Sequence, residues 1–418
     1  MTILSRLLSL RAVEPLVAYR DFRFLWVGNF FANNAQWLQL LTLGWLVRHL
    51  TTESSSSALW VITVGGLATL PTLVVGPWGG VLGDRLNRRK LIMVSQGFMA
   101  GFALIFAFQS LYARVHVWQV YVYALVAGAC LSIAQPTREA LLANTVPRHA
   151  LANAYATNVL TITGTRVITP IIGGLLITSM GAFFWNFTME SLLYLAMVLA
   201  FLPMNMPFYT PRIDSGTTSP VADMKEGLIY MWKEEKVLVN LIILSLIPEL
   251  ILHPVWFLLP VFTEEVLHKG ADVGGYLLTA TGVGGLLSTL LIASLGFVFG
   301  RGIVCLGSAI LSSIAVILFS QSQWVPTAII LIGLMAFAQS TFRTTYGSLV
   351  QTLAPDRLRG RLISLQGYGR SFVILPSLAF GWIAMTTSVK TTIAFMGVIG
   401  LIFAFVGLIT LQRVKKVV

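Results

Sequence analysis

The sequence predicts an all-helical membrane protein with twelve transmembrane helices in two pseudo-symmetric bundles of six. Three observations predict this fold: an apolar composition, apolar runs of membrane-spanning length, and an internal repeat. Of the 418 residues, 56% are hydrophobic and 11% are charged, whereas about a quarter are charged in a typical soluble domain. Runs such as residues 58–82 reach the roughly 20 residues that a helix needs to cross a membrane.

Continuous apolar stretches, broken by glycine, proline and charged clusters, locate the twelve helices. The first six lie near residues 22–47, 58–82, 91–110, 117–137, 151–178 and 183–205. The second six lie near residues 237–263, 273–297, 302–320, 326–347, 362–385 and 391–411. The polar segment between the two sets predicts a first bundle over residues 1–206, a cytoplasmic linker with an amphipathic stretch over residues 207–236, and a second bundle over residues 237–418.

The distribution of Lys and Arg predicts the orientation of these helices. Twelve spans put both termini and every second loop on one side of the membrane, and 22 of the 28 basic residues fall there. The exceptions are Arg48, Arg114, Lys269 and Lys390 on the opposite side and Arg166 and Arg370 within spans. By the positive-inside rule, both termini are cytoplasmic. Topology and contact with anionic lipids thus account for the net charge of +12, which argues against a nucleic-acid partner.

The two halves of the chain also resemble each other. Three pairs of residues recur at nearly one separation: Arg138 and Arg343 are 205 residues apart, Arg166 and Arg370 are 204 apart, and Pro170 and Pro376 are 206 apart. A repeat of six spans predicts two bundles around a central site that opens alternately to each side of the membrane.

The sequence carries no signature of an enzyme, a metal site or a cofactor site. Cys130 and Cys305 lie in apolar runs and lack the spacing of metal ligands. Gly282 and Gly284 lie within a span and are not followed by Lys-Ser or Lys-Thr, as a phosphate-binding loop requires. We therefore predict no catalysis and no cofactor, and we disfavour an ATP-driven pump.

The loop after the second span holds the most specific motif. It reads Gly80-Val81-Leu82-Gly83-Asp84-Arg85-Leu86-Asn87-Arg88-Arg89-Lys90. This string resembles the Gly-x-x-x-Asp-Arg-x-x-Arg-Arg signature that the major facilitator superfamily carries between spans two and three. The resemblance implies the major facilitator fold and a cytoplasmic gate, which we assign to Gly80, Asp84, Arg85, Arg88, Arg89, Arg138 and Arg343.

Further segments resemble a narrower branch of that superfamily, the enterobactin-exporter-like and macrolide-efflux-like permeases, or transmembrane secretion effectors. They are Trp37-Leu38-Gln39 with Gly44-Trp45-Leu46-Val47, Pro136-Thr137-Arg138 with Val146-Pro147, Leu151-Ala152-Asn153-Ala154 with Asn158 and Arg166, and Pro355-Asp356 with Leu358-Arg359-Gly360-Arg361. The resemblance implies a monomer in a bacterial-type inner membrane. It also implies export of amphipathic small molecules, such as siderophores or drugs, usually against an inward proton flow.

Several positions depart from the family pattern. In span five, Thr169 replaces the first glycine of the antiporter signature Gly-Pro-x-x-Gly-Gly. Span four lacks the arginine that many drug antiporters carry, and Gln36 stands where several members of the branch have Asp. The second-half copy of the Asp-Arg loop is reduced to Gly300-Arg301. Proton antiport is therefore a weaker implication than transport.

Four charged side chains lie well inside spans, where each costs about 2.5 kcal/mol or more at mid-membrane and needs a partner, water or a function. They are Arg166 in span five, Glu190 in span six, Glu249 in span seven and Arg370 in span eleven. One reading is a structural ion pair in each half, Arg166 with Glu190 and Arg370 with Glu249. Another interpretation is that Glu249 carries the coupling proton. Burial favours the protonated carboxyl, whereas a gated contact with an arginine favours the carboxylate. A third is direct contact with substrate.

The proton-coupling candidates are Glu249, His253 and Glu190. His253 follows Glu249 by about one turn between Pro248 and Pro254, so it can relay a proton or simply bind a carbonyl that the prolines free.

Polar and aromatic residues in the spans supply candidates for substrate binding. Asn29, Asn33 and Gln36 share one face of span one and belong toward a cavity or toward another helix. Gln135 and Gln339 occupy matching places in spans four and ten. The full set of substrate-binding candidates is Asn29, Asn33, Gln36, Trp37, Gln135, Arg166, Trp256, Gln339 and Arg370.

Together, these features predict a secondary transporter that works by alternating access. The favoured function is proton-coupled export of an amphipathic small molecule, with membrane lipids around the bundle. An importer or a lipid flippase of the same fold is the alternative, and a transport-inactive receptor is a further one.

Overall fold

The computed structural model describes residues 14–112, 114–206, 236–295, 300–353 and 371–410, with Ile229, Trp232 and Gly369 as single residues. All regular structure in these ranges is helical. Each predicted span has a helical counterpart, and these are named α1 to α12. The fold class predicted from the sequence is confirmed.

The first six helices are α1 (Arg20–Leu50), α2 (Ser57–Thr69 continued by Pro71–Arg85), α3 (Arg88–Tyr112), α4 (Val117–Leu142), α5 (Leu151–Met180) and α6 (Phe184–Phe201). The second six are α7 (Lys236–Leu246, the π-helical turn Ile247–Ile251, and Val255–Glu265), α8 (Ala271–Leu295), α9 (Arg301–Gln321), α10 (Val325–Leu353), α11 (Ile374–Thr386) and α12 (Val389–Thr410). Ten stretches of the described chain are long and apolar enough to cross a membrane. The exceptions are α1, which carries several Asn and Gln side chains, and α11, which is described over 13 residues.

Prolines interrupt two of the helices. In α2, the second part begins at Pro71, which has no N–H to continue the hydrogen-bond ladder. In α7, Pro248 lies in the π-helical turn and Pro254 precedes the last segment. The predicted single span over residues 237–263 is therefore a helix broken near its middle, and such π-turns are frequent at functional sites.

The described parts of the two halves meet mainly through four helix pairs: α5 with α8, α2 with α11, α2 with α7, and α1 with α7. Glycines allow the closest approach between α5 and α8. A Cβ at Gly174 would lie 2.4 Å from the Ala271 carbonyl oxygen, and one at Gly275 would lie 2.4 Å from the Pro170 carbonyl oxygen. These backbones are in near contact, which only glycine permits.

Charged side chains join the halves where α1 and α7 end, the end that the basic residues predict to face away from the cytoplasm. We call this the outer end. Arg48 Nε lies 2.5 Å from Glu264 Oε2, and Arg48 Nη1 lies 3.2 Å from Glu265 Oε1. At the same end, the Asp272 backbone N–H donates to Thr178 Oγ1 over 3.1 Å. The outer end is closed in this structure.

Candidate substrate and coupling site

A cavity of about 210 Å³ lies between the halves. Residues from α1, α2, α4, α7 and α8 form its wall, which is mostly apolar. The polar and aromatic residues of the wall are Gln36, Trp37, Gln39, Trp45, Trp256 and Phe257. Gly65 makes room for the Phe257 ring, because a Cβ at that position would lie 2.2 Å from the ring. The predicted cavity positions of Gln36, Trp37 and Trp256 are thus observed.

The guanidinium of Arg166 packs against two rings of this wall. Its Cζ atom lies 4.2 Å from the centre of the Trp256 ring and 5.0 Å from that of Trp37. Its Nε donates to Thr281 Oγ1 over 3.1 Å, while its Nη2 is buried and has no hydrogen-bond partner. Arg166 on α5 is therefore held by α1, α7 and α8 together.

The contacts of Arg166 offset much of the cost of its burial but leave one of its donors without an acceptor. Two cation–π contacts, at about 2 kcal/mol each when desolvated, are of the same order as the several kcal/mol that burying one ion costs. The rings hold the guanidinium in place, but they provide no acceptor for the buried Nη2 of Arg166.

Glu190 does not pair with Arg166, so the structural ion pair considered for the first half is wrong. Glu190 is fully buried. Its Oε1 accepts hydrogen bonds from the Tyr123 hydroxyl at 2.8 Å and from Gln39 Nε2 at 2.9 Å, and its Oε2 has no partner. The carboxyl therefore lies inside the first half, and Gln39, which also lines the cavity, connects the two.

In the second half, Glu249 pairs with Arg343. Glu249 Oε1 lies 3.2 Å from Arg343 Nη2. Glu249 belongs to the π-helical turn of α7, and its side chain is 10% exposed, against 46% for Arg343. Arg370, the partner considered from the sequence, lies outside the described residues. Arg343, assigned to the cytoplasmic gate, thus contacts the candidate coupling carboxylate.

His253 lies beside the cavity wall. Its ring centre lies 5.0 Å from that of Trp256 and 5.3 Å from that of Phe257. It lies two residues after the π-helical turn, at the break in α7. Both roles considered for His253 remain open.

The polar stripe of α1 divides between two environments. Asn29 Nδ2 donates to Asn158 Oδ1 over 2.8 Å, and Asn33 Nδ2 donates to Thr161 Oγ1 over 3.0 Å. These amides face α5 inside the first half, so of the two positions considered, a cavity or another helix, Asn29 and Asn33 take the helix contact. Gln36 alone of this set of three reaches the cavity.

Gln135 and Gln339, which the repeat predicts to be equivalent, differ in the structure. Gln135 is exposed, whereas Gln339 is buried and its Nε2 has no hydrogen-bond partner. Neither belongs to the wall of the described cavity. The equivalence of sequence positions does not extend to their surroundings.

Comparison with known proteins identifies the chain. A model of the transmembrane secretion effector family matches residues 12–417. The chain belongs to this family. Its similarity to solved structures shows the same fold: a POT family transporter in complex with 5-aminolevulinic acid has a TM-score of 0.78 at 11% identity, over 95% of this chain and 97% of that one. A D-xylose-proton symporter has a TM-score of 0.68 at 15% identity, over 92% and 96%.

Relatives of similar length are transporters. The staphyloferrin A transporter of Staphylococcus aureus is 24% identical over 393 residues, with 92% of this chain and 96% of the relative covered. A Na⁺, Li⁺, K⁺/H⁺ antiporter of Planococcus maritimus is 21% identical over 410 residues, with coverage of 86% and 93%. The enterobactin exporter of Shigella flexneri is 23% identical over 339 residues, with coverage of 79% and 78%. The protein is a multi-pass membrane transporter of the major facilitator type.

In this transmembrane secretion effector, the described arginines of the motif after α2, together with Arg138, bind groups of the first half. Arg88 Nη1 donates to Asn144 Oδ1 over 2.9 Å, and Arg89 Nη2 donates to the Leu202 carbonyl. Arg138 Nη1 donates to Asn33 Oδ1 over 3.3 Å. Helix α2 runs through Gly80, Asp84 and Arg85, whose side chains lie outside the described part. The gate role of these residues stays a prediction.

Sequence reasoning missed the residues that satisfy the buried charges. Thr281 and Tyr123 give no signal of their own, because single hydroxyls are common in apolar helices. Gln39 was visible as an amide in span one, yet its contact with Glu190 depends on how α1 and α6 pack. Sequence periodicity does not give that arrangement.

Proposed function

We propose that this transporter exports an amphipathic small molecule from the cytoplasm by alternating access, driven by an inward flow of protons. The observation that carries the proposal is the cavity between the halves, whose wall combines Trp37 and Trp256 with amides and adjoins Arg166. An aromatic wall with few polar groups suits a ligand that is partly apolar. We further propose that the protein is a monomer in the inner membrane, with both termini in the cytoplasm.

Contacts at the outer end support alternating access. Arg48 of the first half holds Glu264 and Glu265 of the second, and close backbone contacts join α5 to α8. Such partly exposed ion pairs contribute only about 0–1 kcal/mol, so they can break in each cycle. Two conformations of a transporter differ by a few kcal/mol, and contacts of this size are enough to shift the balance.

The pair of Glu249 and Arg343 supports proton coupling. Contact with Arg343 favours the carboxylate, and loss of that contact in a buried site favours the protonated carboxyl. A movement of α7 against α10 that opens the 3.2 Å contact would thus load a proton, and its closure would release one. Glu190 is the second candidate, because it is fully buried and its described partners are neutral.

Names of relatives support the substrate class. They include a staphyloferrin A transporter, an enterobactin exporter, a multidrug efflux pump and a cation/proton antiporter. Siderophores and drugs are both amphipathic. We therefore propose a substrate from this range and a proton as the coupling ion.

Direction can be tested with membrane vesicles of both orientations from cells that produce the protein. Radiolabelled siderophores and lipophilic drugs are offered to energised everted and right-side-out vesicles, with and without a protonophore. We expect accumulation in everted vesicles that the protonophore abolishes. Accumulation only in right-side-out vesicles would make the protein an importer, and movement of labelled phospholipid instead would make it a flippase. No movement of any compound would favour a receptor.

A further inference from the structure

Arg166 is a buried cation whose hydrogen-bonding capacity the described contacts do not fill. The Trp37 and Trp256 rings enclose the guanidinium, and Thr281 accepts from Nε. The Nη2 atom is buried without an acceptor. Among the described residues, no carboxylate pairs with this guanidinium, and Arg343, about one turn after Ser340 on α10, is also a cation. The described residues thus offer Arg166 aromatic faces and a hydroxyl, but no anion.

Two further buried donors lack hydrogen-bond partners; one adjoins Arg166, and the other belongs to a residue whose chain neighbour lies near it. Trp256 Nε1 and Gln339 Nε2 have no hydrogen-bond partner, and both residues are less than 9% exposed. The Trp256 ring lies 4.2 Å from Arg166 Cζ. Gln339 precedes Ser340 on α10. A Cβ at Gly285 would lie 3.0 Å from Ser340 Oγ and 3.8 Å from Arg166 Nη1, so both atoms lie close to the same position. All three unfilled groups are donors, so a ligand that fits them carries acceptors.

The local charge also favours a ligand that is an anion. Arg166 and Arg343 are positive and Glu249, paired with Arg343, is negative, so these three side chains together are positive by one unit. A cationic head group would add to the repulsion, and a neutral one would leave the Arg166 charge uncompensated. A carboxylate or a related oxyanion neutralises the charge and accepts from Nη2 in a geometry that suits a guanidinium.

We propose that the transported molecule is an amphipathic organic anion whose oxyanion binds Arg166, with Trp256 Nε1 and Gln339 Nε2 as additional donors. Its apolar part occupies the adjoining cavity along Trp37 and Trp256. The anchor is separate from the Glu249–Arg343 pair, since Arg166 lies in the first half of the molecule on α5. The proposal rests on the proposed function only in that the bound molecule is also transported. The binding preference itself is independent of transport.

Binding of three matched probes to the full-length protein in nanodiscs tests this inference. The probes are 1-naphthaleneacetate, 2-(1-naphthyl)ethanol and 2-(1-naphthyl)ethylamine, which share one apolar body and differ in the head group. Isothermal titration calorimetry measures each dissociation constant. We expect the carboxylate to bind at least about tenfold more tightly than the alcohol, and the amine to bind most weakly. Equal binding of all three, preference for the amine, or no saturable binding of the carboxylate would overturn the proposal.

Variants locate the preference at Arg166. Arg166→Gln is expected to bring the carboxylate to the affinity of the alcohol while the alcohol binds as before, and Arg166→Lys to keep part of the difference. Gln339→Leu should reduce it less. Arg148→Gln removes the same formal charge at an exposed residue and should leave all three constants unchanged. A preference that survives in correctly folded Arg166→Gln would overturn the assignment. Because no flux is measured, failure here is distinguishable from failure of the proposed export.

Discussion

Two buried charged side chains of this transporter contact neutral groups and not opposite charges, and Glu190 is the clearest case. Its carboxyl accepts from Tyr123 and Gln39 and pairs with no cation in the described chain. Arg166 is held instead by two indole rings and a hydroxyl. Each residue is thus held by neutral groups of neighbouring helices, although Glu190 Oε2 and Arg166 Nη2 have no hydrogen-bond partner. The consequence is that Glu190 contributes to the stability of the first half, whatever its part in proton movement.

This contribution can be measured by substitution. Glu190→Leu removes the acceptor of two donors, Tyr123 and Gln39, and each buried donor left unsatisfied costs about 1–3 kcal/mol. We expect a clearly lower midpoint of thermal unfolding in detergent, whereas Glu190→Gln, which keeps a carbonyl oxygen, stays near wild type. Combined with Tyr123→Phe, Glu190→Leu should cost less than the sum of the two single changes. Strict additivity would contradict the hydrogen bond, and Glu139→Leu at an exposed position is the control.

At the scale of helices, the crossing of α5 and α8 controls how the halves approach at the outer end. Gly174 lies where the Ala271 backbone leaves no room for a side chain. Thr178, one turn further along α5, accepts from the Asp272 backbone. The close crossing therefore belongs to the conformation in which the outer end is closed.

Gly174→Val should separate these helix ends. In a background with Thr178→Cys and Asp272→Cys, we expect slower oxidative cross-linking than in the parent, by at least several-fold, because the added side chain would meet backbone atoms of α8. Gly164→Val on the same helix is the matched control, since a Cβ there meets nothing within 4 Å. Equal cross-linking rates in the two valine variants would contradict the assigned crossing.

The helices were largely predictable from the sequence, because every spanning segment must satisfy its backbone hydrogen bonds internally and so forms an apolar run of fixed length. The break in α7 was signalled by Pro248 and Pro254. Side-chain partners were not predictable in the same way. Arg166 was considered as the partner of Glu190, and Asn33 as a cavity residue. Both depend on the rotation of helices about their axes, which apolar spans with polar groups on several faces do not specify.

At the scale of the whole molecule, the site components lie on both halves. Trp37 and Arg166 come from the first half, and Trp256, Glu249 and Arg343 come from the second. A rigid-body movement of one half against the other therefore changes the aromatic enclosure of Arg166. Under the proposed alternating access, the same movement would release the outer-end ion pairs. We therefore propose that occupancy of the cavity shifts the conformation of the bundle, as coupled transport requires.

The most direct test of proton-coupled export uses purified protein in liposomes with a trapped pH indicator. Substrate found in the vesicle assay is placed on one side, and proton flux is recorded for wild type, Glu249→Gln and the exposed-site control Glu139→Gln. We expect substrate-dependent proton movement opposite to the substrate in wild type and in Glu139→Gln. Glu249→Gln should lose that proton movement by at least about tenfold while it still binds substrate. Substrate transport without any proton movement in wild type would contradict the account, and unchanged coupling in Glu249→Gln would remove Glu249 from it.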